Sequence, residues 1–377
     1  MFHTVEINRI EELESYRLTW HHLLAQTRYA SFFQTFEWLR IYWRHFGEGQ
    51  RLRTLIVYRG GEPIGIVPLV VRTESTRAGN VRTLTYPLHG WGSFYGSIGR
   101  EPGSTMHSVV RHLQTSRRDW DLLDLRWQRL DADLNHTPRA LRAADWSPLC
   151  GEWSRVAMVD LPGDWDEYLA TRGTKIRGEI RRNLRRVEEQ PGVTFERIRP
   201  ASAAEGDGDP HLAEYDECVE LARRTWQAAS VDGTTLSHPS VAGFLRETHV
   251  AAARAGALDM ALVRHHGRLV AFGYNYHHDG RVGGIRMGYD PDYRPMGMGN
   301  YLYAASLRDS IERGDTEFDL GPGGLEHKQT WLTRLVPSLR FTHYAAISPR
   351  AQLLWLKHRL LDGRRPTFPT RPSQLAV

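Results

Sequence analysis

The chain of 377 residues is longer than one hydrophobic core usually organises, and 41% hydrophobic with 25% charged residues is the composition of a globular protein. Its net charge of +5 suits an anionic ligand without choosing between a nucleotide, a nucleic acid and a membrane surface. Two cysteines, Cys150 and Cys218, exclude a disulfide framework or a cysteine-rich metal site, and the lack of a long apolar run or a basic-then-apolar leader predicts a cytoplasmic location.

In chain order, residues 11–26 have helical spacing, and Thr35 is placed to cap a second helix that opens at Phe36. Runs 52–58 and 63–71, separated by Arg59-Gly60-Gly61-Glu62, read as a β-hairpin. A helix over 106–115 and a strand over 120–125 complete a mixed α/β first half. The second half opens near Trp153, and a helix over 174–189 places Ile176, Ile180, Leu184 and Val187 on one face and Arg177, Arg181, Arg182, Arg185 and Arg186 on the other. Residues 200–210 read as a flexible loop, and helices follow over 212–227 and 239–255. Three strands, 258–264, 269–277 and 282–289, are joined by polar turns. A turn through Pro291 and Pro295 leads to a helix over 297–312 and a strand over 316–320. The terminal helix over 351–361 sets leucines and Trp355 beside Lys357, His358 and Arg359, and reads as docking on its own domain or touching a membrane surface. The Pro- and Arg-rich end beyond it is predicted to lack fixed structure.

The central motif is Arg294-Pro295-Met296-Gly297-Met298-Gly299, between a strand and a helix. Backbone N–H groups at a helix N-terminus, approached closely because glycines lack Cβ, form a cradle for pyrophosphate oxygens, and an arginine adds a charge-assisted bond. Arg294, Met296, Gly297, Met298, Gly299 and Asn300 are therefore the cofactor-binding candidates. The common R-x-x-G-x-G pattern gains weight from its place after three strands.

Among polar residues Lys328 stands out, because the chain has three lysines (Lys175, Lys328, Lys357) against 46 arginines: either a compact, titratable cation is wanted there, or it is a solvated surface lysine. Asp319, in a strand before a Gly-rich turn, either serves as base for an acceptor amine or braces the turn, and Glu326 is a second carboxylate candidate. Arg177 and Arg181 either grip an anionic acceptor or form a solvated helix face. Trp226 either walls the acceptor site or packs in a core, and Tyr274 shares a strand face with Tyr276 and not with His277. The pairs His265-His266 and His277-His278 fall at turns without matching carboxylates or cysteines, so no metal is expected.

Three strands, a Gly-rich turn, a helix and a strand follow the order of the GNAT core. With Tyr289-Asp290-Pro291-Asp292-Tyr293-Arg294, the glycine loop, and the run from Phe318 to Trp331, the chain resembles the CelD-type, BioF-like acetyltransferases, a group similar to the Fem peptidyltransferases. Phe33-Gln34-Thr35-Phe36-Glu37-Trp38 and Ile64-Gly65-Ile66-Val67-Pro68-Leu69 resemble the group's opening pattern. The resemblance implies α/β architecture in tandem GNAT-like folds, each a mixed, mostly antiparallel sheet flanked by helices. The expected domains are 1–150, 151–345 with the coenzyme A loop, and 346–377 as helix and tail. It further implies transfer of an acyl group, acetyl above all, from acyl-CoA to an amine or hydroxyl acceptor such as a sugar or cell-envelope polysaccharide precursor. Lys328 is implied to stabilise charge near the reacting carbonyl. The group's usual tyrosine before that lysine is His327 here. The partners expected are the coenzyme A thioester and its acceptor, with no nucleic acid. The alternatives are Fem-like transfer from aminoacyl-tRNA and a non-catalytic ligand-binding protein on the same scaffold.

Overall fold

A computed structural model describes residues 1–88, 90–230 and 234–361; the Pro- and Arg-rich end lies outside the described residues. The strands among these are β1 (Phe2–Ile7), β2 (Arg51–Arg59), β3 (Glu62–Thr76), β4 (Gly79–Thr85), β5 (Leu122–Arg129), β6 (Leu149–Asp160), β7 (Val193–Ile198), β8 (Leu258–His265), β9 (Arg268–His278), β10 (Arg281–Tyr289), β11 (Glu317–Pro322) and β12 (Arg334–Tyr344). The chain divides into two compact units, Val156–Leu335 and a discontinuous one made of Met1–Arg155 with the chain from Val336.

In the discontinuous unit the strand order is β1-β2-β3-β4-β5-β12. All neighbours are antiparallel except β4 and β5, which run parallel. The predicted hairpin is β2 and β3, and Gly60 and Gly61 turn the chain at φ of 60° and 91°, where a side chain would be strained. Helix Phe36–Phe46 starts where expected, since the Thr35 hydroxyl accepts from the Trp38 amide at 3.1 Å. Its inward face buries Phe36, Trp38, Leu39, Ile41 and Tyr42. Helix Pro102–Thr115 lies so close to β3 that a Cβ on Gly65 would fall 2.1 Å from the Thr105 hydroxyl.

In the contiguous unit the order is β6-β11-β10-β9-β8-β7, antiparallel except for β10 and β11. Helices Thr174–Glu188 and Met298–Glu312 cover one face, burying Ile180, Leu184, Val187, Met298, Leu302 and Ala305 with Val263, Ala271 and Val282. Helices Leu212–Ala222 and Ala242–Arg254 lie against the other face, where Tyr215 and His249 meet Tyr274.

Two sequence expectations are corrected here. Residues 200–210 are not a loose loop: Ser202 and Glu205 form a reciprocal capping box, and the Asp207 carboxylate accepts from the amides of Ala201 and Asp209. The helix expected over 212–227 ends at Ala222, because the Thr225 hydroxyl caps a separate turn, Trp226–Ala229.

Charge is also built into this unit's interior. The fully buried Asp259 accepts from Arg197 Nε at 2.7 Å, Arg199 Nη2 at 2.6 Å and Asn275 Nδ2 at 3.0 Å. Arg199 also meets Asp315 at 2.8 Å, and His277 reaches the same aspartate at 3.1 Å. Each of these buried charges is thus paired, which a low-dielectric interior requires.

Candidate functional site

The glycine loop begins where β10 ends. Asp290 is buried, and its carboxylate accepts from the Asp292 amide at 3.2 Å and from Arg224 and Arg268 at 2.8 and 2.6 Å. This fixes a 3-10 turn, Pro291–Met296, and Gly297 follows at φ 75° as the N-cap of helix Met298–Glu312, with no side-chain cap. The Tyr301 amide makes the bond to the Gly297 carbonyl, at 3.0 Å. The amides of Met298, Gly299 and Asn300 precede it, in the position whose N–H groups a helix cannot itself satisfy. They aim positive ends of dipoles at one place, the local chemistry of an anion cradle.

The six loop candidates differ in what they offer. Arg294 and Asn300 are exposed. The Met298 side chain is completely buried in the core, so only its backbone faces the cradle. Met296 is packed against the same core, and its carbonyl accepts from Arg186 at 2.8 Å. A Cβ on Gly299 would lie 3.0 Å from the Tyr289 ring, and one on Gly297 would lie 2.5 Å from Asn183 Nδ2 and 2.9 Å from Arg186 Nη2. Gly297 is therefore favoured by close packing and by its left-handed conformation, and Gly299 by close packing alone.

The arginine-rich helix reaches this loop through residues other than the two singled out from sequence. Asn183 and Arg186 contact the Met296 and Gly297 carbonyls. Arg181 instead pairs with Asp166 at 2.8 Å on an exposed surface, and with Arg185, Glu188, Glu189 and Arg308 it lines a shallow depression of mixed charge. Arg177 is half-buried in the first turn of the helix. A lone asparagine inside Arg181-Arg182-Asn183-Leu184-Arg185-Arg186 was the available sequence signal, since asparagine is a weak helix former without a local reason to be there.

A second feature lies between the two parallel strands. β10 and β11 pair only at Arg281↔Glu317, Val282↔Phe318 and Gly283↔Asp319; β10 then shifts register between Gly284 and Arg286, and each strand continues without the other. A Cβ on Gly284 would fall 2.7 Å from the Asp319 carbonyl, so the approach at the parting needs a glycine. Beyond it β11 turns through Gly321, Gly323 and Gly324, all at positive φ, into the short helix Leu325–Lys328.

Lys328 is the residue this turn presents. Its ammonium donates to the carbonyls of Gly321 at 2.9 Å and Pro322 at 3.2 Å. Burial pushes its pKa down to about 8; the Asp319 charge opposes that shift and the Arg286 charge adds to it. It is therefore not the solvated lysine that composition alone would favour. Asp319 accepts from the Gly321 amide at 2.6 Å, so it braces the turn. Glu326 is exposed. Arg286, which sequence reading passed over, donates to the Thr234 and Ile285 carbonyls, and burial lowers its pKa to about 10.

Trp226 and Tyr274 separate. Trp226 is 62% exposed, against the core-packing reading, and sits in a connector held to β10 by Gln227, which donates to the Met287 carbonyl at 3.4 Å. Tyr274 is corrected as a substrate-binding residue: it is completely buried, 3.1 Å from His249 Nδ1, and cannot line an open cleft. The histidine pairs serve local structure, with His265 meeting the Tyr293 hydroxyl at 3.0 Å. Both cysteines are buried, and burial raises the Cys150 thiol to about 12.

Residues 174–329 match the acetyltransferase (GNAT) domain family Acetyltransf_6. This segment runs from the arginine-rich helix through the glycine loop to the residue after Lys328, and the match supports an acyltransferase. Among solved structures, FemX is similar over 96% of this chain and 100% of its own, with 12% identity and a TM-score of 0.60. A tandem GNAT protein from the clavulanic acid biosynthesis pathway aligns over 92% and 100% with 13% identity and a TM-score of 0.48. At such identities the FemX likeness is one of fold, a mixed α/β architecture with mostly antiparallel strands flanked by helices, and the matched GNAT domain lies within the contiguous unit. No curated protein matches the chain.

Proposed function

We propose that the protein transfers an acyl group, acetyl above all, from acyl-CoA to an amine or hydroxyl, and that it belongs with the CelD-type, BioF-like acetyltransferases. The observation that carries this reading is the uncapped start of helix Met298–Glu312, behind Gly297, immediately after a strand that parts from its parallel neighbour. In it, residues 151–345 act as the catalytic domain. The amides of Met298, Gly299 and Asn300 hold the pyrophosphate, and Arg294 and Arg186 add charge.

The thioester supplies an activated carbonyl, and the chain supplies placement and electrostatics. The Lys328 ammonium stabilises negative charge as it develops on the carbonyl oxygen. Asp319 orients the turn that carries Lys328, leaving Glu326 as the carboxylate on the exposed rim to accept the acceptor's proton. Trp226 offers a flat apolar wall for a sugar-like or envelope-precursor acceptor. A cytoplasmic location fits the supply of both substrates.

The test is calorimetric titration of coenzyme A and acetyl-CoA into wild type and into a Gly297→Glu/Gly299→Glu variant whose folding is checked by its thermal melt. Micromolar binding by wild type that the folded variant loses is the expected result. No binding of either ligand by wild type would overturn the reading and favour transfer from aminoacyl-tRNA or a non-catalytic role.

A further inference from the structure

The terminal helix Pro349–Leu361 is tied down at its beginning. The Ser348 hydroxyl accepts from the Ala351 amide at 3.3 Å, Arg350 donates to the Asn80 carbonyl at 3.0 Å, and Gln352 donates to the Ala345 carbonyl at 3.1 Å. Ala351 is buried beneath that first turn. Three leucines further along stand out from the surface: Leu353, Leu356 and Leu360 are 59%, 47% and 73% exposed. Spacings of three and four residues put all three on one side, so this is a continuous apolar ridge, not scattered surface leucines.

The charges beside the ridge are all of one sign. The helix contains Arg350, Lys357 and Arg359 and no acidic residue, and Lys357 falls on the leucine side between Leu356 and Leu360. Arg359 lies over the Trp355 ring, 5.1 Å from its centroid. The sequence beyond, residues 362–377, adds Arg364, Arg365 and Arg371 against the single acid Asp362. Leucines flanked by long cationic side chains match the chemistry of a lipid surface: acyl chains under the leucines, phosphates beside the cations. No helix among the described residues is long and apolar enough to cross a membrane, so contact would be along the surface.

We infer that this helix docks the protein on an anionic membrane surface. Apolar contact supplies part of the affinity and lipid phosphate the rest, so binding depends on lipid charge and weakens with salt. This inference is independent of the donor and acceptor proposed above.

Full-length protein is to be sedimented with vesicles of phosphatidylcholine alone and with vesicles containing about one-third phosphatidylglycerol, an anionic content that gives a substantial surface potential. The expected result is selective binding to the anionic vesicles, reduced severalfold on raising salt. Leu353→Ser/Leu356→Ser/Leu360→Ser should lower the partition about tenfold or more, since three apolar insertions are removed. Lys357→Glu/Arg359→Glu should abolish the preference for anionic lipid, and it keeps the test intact if the leucine variant melts abnormally. Equal binding by wild type and both variants overturns the proposal. So does wild type that ignores vesicles and self-associates through these leucines in sedimentation velocity.

Discussion

Replacing Gly297 with alanine tests whether the glycine loop is a closely fitted element or a permissive turn. The residue sits at φ 75°, and for a non-glycine residue the left-handed conformation costs roughly 1–2 kcal/mol. The new Cβ would also fall 2.5 Å from Asn183 Nδ2 and 2.9 Å from Arg186 Nη2. Arg186 is exposed and flexible enough to swing away, at the expense of its 2.8 Å bond to the Met296 carbonyl. Asn183, on a shorter side chain, must give up its weak contacts of 3.4 and 3.5 Å. Together these losses come to about 2 kcal/mol, with the lost hydrogen bond worth about 1 of it. For a unit of this size that lowers Tm by roughly 4–8 °C. The assay is a thermal melt of four proteins in a double-mutant cycle: wild type, Gly297→Ala, Asn183→Ala and the pair. In the Asn183→Ala background the penalty should shrink by the share Asn183 contributes, leaving the backbone cost and the lost Arg186 bond. An unchanged Tm for Gly297→Ala, or a penalty unaffected by Asn183→Ala, would refute the close-fit reasoning.

Two other perturbations address buried charge. Lys328 holds its proton less tightly when folded, at about 8 against an ordinary 10.5, so between those values the unfolded chain binds more protons and stability rises with pH. The penalty is full below pH 8 and gone above about 10.5; it amounts to at most about 3 kcal/mol, and urea melts of wild type against Lys328→Met from pH 7 to 10 should show the wild-type curve gaining on the variant. Asp259→Asn removes the negative charge between Arg197 and Arg199, whose side chains are 1% and 11% exposed. It should cost about 3–5 kcal/mol by chemical denaturation, and a loss under about 1 kcal/mol would show that Asn275 and Asp315 suffice to hold the arginines.

The strands around the glycine loop were legible because each is a short run bounded by polar turns, and β8, β9 and β10 fall within a residue or two of the expected bounds. The strands that escaped notice carry contrary local signals. β12 contains Pro337 and three basic or histidine positions, β6 opens through Gly151 and Glu152, and β7 has only six residues. Their pairing comes from tertiary contacts that override weak propensity. The loop itself could be found from its glycines, but not which side of the arginine-rich helix would touch it. Arg177, Arg181, Arg182, Arg185 and Arg186 look alike in sequence, and docking of one helix against another selects Arg186. Tyr274 shows the same limit for a strand: alternation gives two faces and does not say which is covered by helices. The parting of β10 from β11 has no sequence marker beyond Gly283 and Gly284, because it is a property of a pair of strands.

The discontinuity of the first unit orders events during synthesis. Its last strand, β12, pairs with β5 from Ser338 onward, yet the ribosome adds residues 130–337 between the two. At about 5–20 residues per second that interval is roughly 10–40 s, during which β5 has no β12 beside it. The contiguous unit has its whole sequence on one uninterrupted stretch and can close its sheet first. A nascent chain stalled shortly after Leu335 would therefore expose an incomplete N-terminal sheet while the contiguous unit is already complete, and that open edge is where a chaperone or an aggregate would find it.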